Sequence, residues 1–112
     1  MDSQPMIVFI TAPTNEIGKQ IAATLVEKRL AACVNLLGPI RSIYTWEGKI
    51  REDEEMLLIV KSRSDLIESG LIPAVQAIHP YQIPEIIALP VVAGLHSYLD
   101  WIVKETGENP VS

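Results

Sequence analysis

Apolar and polar positions along this chain alternate in blocks of two periods. Met6-Ile7-Val8-Phe9-Ile10 is an unbroken apolar run rich in β-branched residues, the pattern of a strand covered on both faces. Pro13 ends it, Thr14 or Asn15 is placed to cap a helix, and Glu16 falls in that helix's first turn. Over residues 15–30, Ile17, Ile21 and Leu25 recur at every fourth position, and Ala22 and Val26 widen the stripe. That spacing predicts an amphipathic helix, with Lys28 and Arg29 at its negative end.

A short apolar stretch at 31–35 leads to a bend at Gly38-Pro39 and then to a strand over 40–46, which puts Tyr44 and Trp46 on one face. Glu47-Gly48 predicts a tight turn. The return arm runs from Lys49 through a charged segment, 51–55, and an apolar run, 56–60, to Arg63. At roughly 3.3 Å per residue such a strand extends about 50 Å, whereas a domain of this length is about 35 Å across. The hairpin must therefore bend or project. A projecting ribbon leaves backbone groups unpaired, which pairing with another copy of the chain would remedy; the alternative is a solvated, charged tip.

Ser64 opens a second helix reaching 78, with Leu66, Ile67, Leu71, Val75 and Ile78 apolar and Gly70 and Pro73 weakening or kinking it. A strand lies within 83–92, bounded by Pro84 and Pro90. Ser97 and Asp100 resemble a capping box for a last helix, with Tyr98, Leu99, Ile102 and Val103 inward, Gly107 closing it and a loose tail at 108–112. The order β-α-β-β-α-β plus a C-terminal helix is an α+β, ferredoxin-like split βαβ arrangement, an antiparallel sheet with helices on one face. Its other face needs a cover, which again predicts an oligomer.

Composition sharpens this reading. The 112 residues fit a single domain, 1–112, folded over about 6–107. Hydrophobic residues make up 48% and mean hydropathy is +0.24, more apolar surface than so short a chain hides alone. Nine Lys and Arg against fourteen Asp and Glu give a net charge of −5, which argues against nucleic acid or an anionic membrane as partner and suits cations. One cysteine, no Cys-x-x-Cys pair and no apolar run long enough for a signal peptide or membrane span predict a soluble cytoplasmic protein.

Chemistry is confined to few groups. Cys33 lies in an apolar setting that suits a core cysteine or a metal ligand better than a nucleophile, and His96 sits at a helix start as a surface or capping residue. His79 is more informative. Pro80 and Pro84 stiffen His79-Pro80-Tyr81-Gln82-Ile83-Pro84-Glu85, holding an imidazole, a phenol and a carboxylate in fixed relation. His79 either ends the second helix and bonds backbone, or serves a borderline metal such as copper or zinc, which imidazole, thiolate and carboxylate donors suit. A threefold assembly would then supply three His79 side chains, or pair His79 with a carboxylate across an interface. Glu52-Asp53-Glu54-Glu55 reads as a solvated face, and Trp46 and Trp101 as packing or interface residues. No Walker A or Gly-x-Gly-x-x-Gly motif is present.

Three segments, Ala31-Ala32-Cys33-Val34-Asn35, Tyr44-Thr45-Trp46-Glu47-Gly48-Lys49 and His79-Pro80-Tyr81-Gln82-Ile83-Pro84-Glu85, occur in an order and spacing that resembles the CutA family of divalent-cation-tolerance proteins. The likeness runs from about Val8 to Trp101. It implies a ferredoxin-like homotrimer similar to PII signalling proteins, with interlocked hairpins, a response to divalent metals and copper above all, and no catalysis. In animals, similar proteins are linked to anchoring acetylcholinesterase. His79 and Cys33 match positions of that family, while Ile10 and Ile78 stand where some members carry cysteine and histidine.

The leading expectation is thus a trimeric protein of metal homeostasis with no tightly bound cofactor, binding copper or another divalent cation weakly, with His79, Cys33 and Glu85 as candidate ligands. The second is a PII-like sensor that holds a small molecule in inter-subunit clefts lined by Trp46, Lys61, Tyr81 and Glu85. An acylphosphatase-like enzyme is the third, disfavoured because no glycine-flanked arginine loop is present.

Overall fold

In the computed structural model, which describes residues 3–108, β1 (Pro5–Ala12) lies at the middle of the architecture. Chain order is β1, α1 (Asn15–Glu27), β2 (Cys33–Trp46), β3 (Lys49–Arg63), α2 (Ile72–Ile78), β4 (Ile86–Pro90) and α3 (His96–Lys104). The sheet is antiparallel throughout, in the order β2-β3-β1-β4. This is the ferredoxin-like α+β arrangement with an added C-terminal helix. No helix among the described residues is long and apolar enough to cross a membrane.

Alternation along the strands sorts the sheet into two faces. Val8, Ile10 and Ala12 of β1 and Leu58 and Val60 of β3 are fully buried and pack with Ile21 and Leu25 of α1 and Val75 of α2. Thr14 caps α1, its hydroxyl accepting from the Ile17 amide at 3.2 Å. The opposite face carries Ile7, Phe9, Leu57 and Ile59, half-buried, with Leu37, Ile87 and Leu89 exposed. β1 is therefore fully covered on one side only. On the open side α3 contacts β1 and β3, with Ile102 buried beneath it.

The hairpin projects. β3 pairs with β1 only from Met56 to Arg63, so 49–55 are matched by β2 alone, across a turn whose residues Glu47 and Gly48 both have positive φ. The long axis of the molecule is 49 Å against 27 and 24 Å for the others.

Several local expectations are corrected. Residues 31–35 and 40–46 are not two elements: β2 is one strand in which Gly38-Pro39 forms a bulge. Lys28 and Arg29 lie beyond the end of α1. The second helix begins as a 3-10 turn (Ser64–Leu66) and a π turn (Ile67–Leu71), and Pro73 sits just after that irregular stretch, at the second residue of α2. The strand expected within 83–92 is only five residues long. α3 starts at His96, which puts Ser97 inside the helix and removes the capping box. Tyr98 faces outward, stacked on Trp101 with ring centroids 5.5 Å apart. Beyond Glu108 the expected loose tail lies outside the described residues.

Candidate functional site

Where the ribbon leaves the sheet, its open-side face meets the loop 79–85 across a cleft of about 750 Å³. The bulge in β2 decides which side chains arrive there. Between the pairs Leu37↔Leu57 and Ile40↔Glu55, two residues of β2 oppose the single Met56. Strand alternation is thereby reset, and Ser42, Tyr44 and Trp46 join Arg51, Asp53 and Glu55 on one face. All six line the cleft.

Across the cleft, Tyr81 and Glu85 come from the loop. The Tyr81 hydroxyl donates to Glu55 Oε2 at 3.0 Å, and the Tyr44 hydroxyl donates to Asp53. Glu55 is only 8% exposed. Burial, followed by its bond to Glu55 and the charge there, pushes the Tyr81 phenol up to about 12. Burial also raises the Glu85 carboxyl above the usual carboxylate range, with a smaller push from the Glu55 charge. The Tyr44 phenol is raised chiefly by its bond to Asp53. Three carboxylates, of which Glu55 is buried and Asp53 and Glu85 are exposed, thus line an open cleft flanked by aromatic rings, with Arg51 as the cation among its lining residues.

His79 ends α2, forced into extended geometry (φ −79°, ψ 133°) ahead of Pro80. Its ring is buried behind Tyr81. The Tyr81 amide donates to Nδ1 at 3.1 Å, so Nε2 carries the hydrogen and donates to the Thr11 carbonyl at 2.7 Å. Within the chain, this imidazole keeps no lone pair for a metal ion.

Cys33 stands elsewhere. It opens β2 on the open face opposite Lys61, whose ammonium lies 3.9 Å from Sγ and bonds the Asn35 side chain. Thr11, the partner of His79, pairs with Leu57, four residues along β3 from Lys61, or about 13 Å away. The candidate ligands His79, Cys33 and Glu85 are therefore not brought together in one chain. Among the described residues no three His, Cys, Asp or Glu side chains group to hold a metal ion. Of the residues expected in an inter-subunit cleft, Trp46, Tyr81 and Glu85 line this cleft within one chain together with Arg51, and Lys61 lies further along the open face, beside Cys33 and Asn35. Asp53 and Glu55, read as a solvated face, belong to the site. The signal for them was the period-two spacing of 51, 53 and 55, which became legible only with the register of the bulge.

Comparison with known proteins gives one answer. The family described as CutA1 divalent ion tolerance protein matches residues 6–105. The divalent-cation tolerance protein CutA of Thermus thermophilus is 48% identical over 101 residues, covering 90% of this chain and 97% of that one. Protein CutA of Homo sapiens is 49% identical over 98 residues, 88% of this chain but 54% of the human protein, so the chain spans about half the length of that relative. Among solved structures, CutA1 from Oryza sativa aligns with a TM-score of 0.90 at 42% identity, covering 96% of this chain and 98% of that one. The divalent cation tolerance protein structure from Thermus thermophilus aligns with a TM-score of 0.89 at 47% identity, covering 92% and 99%.

Proposed function

The chain belongs to the CutA1 divalent ion tolerance family, and from that premise we propose that it acts in the response to divalent metal ions as a homotrimer, taking copper or another divalent cation weakly in the cleft beside Glu85. The observation that carries this reading is the cleft itself, which brings the buried Glu55, 8% exposed, to one lining with Asp53 and the exposed Glu85. The Glu55 charge adds to the cost of ionising Glu85, and an entering cation offsets that repulsion. Glu55 and Glu85 supply oxygen donors from one chain, and water or a neighbouring copy completes the shell. The cleft opens on the side of the sheet that α3 covers only in part, at the base of a ribbon that outreaches its own domain, and both features suit assembly.

Calorimetric titration of the metal-free protein with Cu(II) and Zn(II) tests the reading, with Glu85→Gln alongside. Weak uptake by the native chain and its loss in the variant are expected; equal uptake by both removes Glu85 from the site. Sedimentation at a mass of 12.4 kDa would remove the trimer.

The size of the cleft favours a second reading. About 750 Å³ walled by Trp46, Tyr44 and Tyr81 falls in the range of small-molecule pockets, roughly 300–1,000 Å³, and suits a PII-like sensor of a small organic ligand. A molecule that co-purifies in native mass spectrometry, and leaves when Trp46 is replaced by alanine, would decide for it.

A further inference from the structure

Building on the reading that Glu85 and Glu55 hold the ligand, we propose that His79 is a positioning residue of the cleft, its imidazole bracing the loop that carries Tyr81 and Glu85 against the end of β1. Residues 80–85 belong to no helix or strand. Pro80 lacks an amide hydrogen, and α2 has already ended at Ile78. Tyr81 is nevertheless held at both ends. Its amide donates to His79 Nδ1 at 3.1 Å, and its hydroxyl donates to Glu55 Oε2 at 3.0 Å.

The first of these bonds has a fixed abutment, because His79 Nε2 donates to the Thr11 carbonyl at 2.7 Å and Thr11 is itself held in register with Leu57 of β3. A five-membered ring sets its two nitrogens rigidly apart, so the position of β1 is passed to the Tyr81 backbone. The Tyr81 ring packs on the imidazole at 4.8 Å between centroids, which fixes the direction of the phenol. His79 is only 8% exposed, so water does not replace either bond cheaply. A ligand role would need a free lone pair on the same ring, and the Tyr81 amide occupies it.

Two substitutions divide the ring's duties. His79→Asn places a carbonyl oxygen near the Nδ1 position, where it accepts from the amide two residues on, as Asn does in an Asx turn. His79→Gln extends an amide towards Thr11 but offers nothing to the Tyr81 amide. Hydrogen exchange of the Tyr81 amide in metal-free protein is the first readout. His79→Asn should retain the native protection within about threefold, and His79→Gln should lose about tenfold, the worth of one buried hydrogen bond. Affinity for Cu(II) and Zn(II) should follow the same order.

Unchanged Tyr81 protection in His79→Gln would overturn the proposal. So would a loss of metal affinity in His79→Asn with Tyr81 still protected, because that pattern belongs to a ligand. If His79→Gln fails to fold, His79→Asn alone still separates the two roles. A native chain that takes up neither metal would sink the cation reading, while the exchange data would still decide the brace.

Discussion

Arg29 and Gly107, 78 residues apart, are bonded in both directions: the Gly107 amide donates to the Arg29 carbonyl at 2.8 Å, and Arg29 Nε donates to the Gly107 carbonyl at 2.9 Å. The same guanidinium reaches the Lys104 carbonyl at 2.8 Å, and Arg63 donates to the Val103 carbonyl at 3.1 Å. Two cations thus satisfy carbonyls left open at the end of α3, where the helix dipole is negative. Arg29 follows α1 at φ 59° and serves a different helix from the one its sequence position suggests.

Arg29→Ala should therefore cost about 1–2 kcal/mol, since two bonds from a charged donor are lost and the part-buried Gly107 carbonyl loses its side-chain partner. Urea denaturation measures the loss. Hydrogen exchange should show the amides at 105–107 opening before the core strands. Arg29→Lys should recover little, because one ammonium does not reproduce the two-pronged contact.

Gly38 controls the cleft from a distance. Its φ of 150° and its approach to β3 leave no room for a side chain: a Cβ there would lie 2.7 Å from Met56 Sδ and 3.1 Å from the Glu55 carbonyl. Gly38→Ala should destabilise the chain by about 1–3 kcal/mol and weaken ligand uptake at the same time. Both effects trace to the bulge that turns Tyr44 and Trp46 into the cleft. Loss of stability with unchanged uptake would separate the bulge from the site.

Those two glycine and arginine positions also mark how far sequence patterns reach here. The strand at 6–10, the helix from 15, the hairpin at Glu47-Gly48 and the stiff loop after His79 follow from local signals: an apolar run, a four-residue stripe, a turn dipeptide and two prolines. Tyr44 and Trp46 were placed on one face correctly because alternation holds within an uninterrupted segment. What alternation could not supply was the joining of 31–35 to 40–46 with one extra residue. That single step decides whether Tyr44 and Trp46 share a face with Asp53 and Glu55 or point to the other side of the ribbon. Lys61 offers a cation by residue type, and its register opposite Cys33 places it outside the cleft of its own chain. His79 was legible as the stiff centre of a motif, but its bonds to Thr11 and Tyr81 depend on tertiary packing across 68 residues of chain.

Glu85 couples stability to pH in a direction that can be fixed in advance. Its carboxyl is raised in the folded chain by burial and then by Glu55, so folding favours the protonated form. The associated stability is present below the ordinary carboxylate value and is lost as pH rises through the raised one. In metal-free protein at neutral pH, Glu85→Gln should unfold at a higher denaturant concentration than the native chain. The difference should vanish in acid, where both side chains are neutral. Added divalent cation should stabilise the native chain and leave the variant unmoved. A variant less stable than the native chain at neutral pH would mean that Glu85 has a stabilising partner.

The open face of the sheet allows a separate test of assembly. Leu37 on one edge strand and Ile87 and Leu89 on the other are 48%, 53% and 44% exposed, and Phe9, Leu57 and Ile59 lie between them. A continuous apolar band of this kind is rare on a monomer's surface. Ile87→Lys places a charge in the band without touching the core, which lies on the other side of β4. Sedimentation should then show a lower mass or a concentration-dependent one, while far-ultraviolet circular dichroism keeps its native shape. Val26→Lys, at a similarly exposed position on α1, serves as the control and should leave the mass unchanged. If both variants sediment as the native protein does, this band is not where copies of the chain meet, and the cleft beside it must be complete within one subunit.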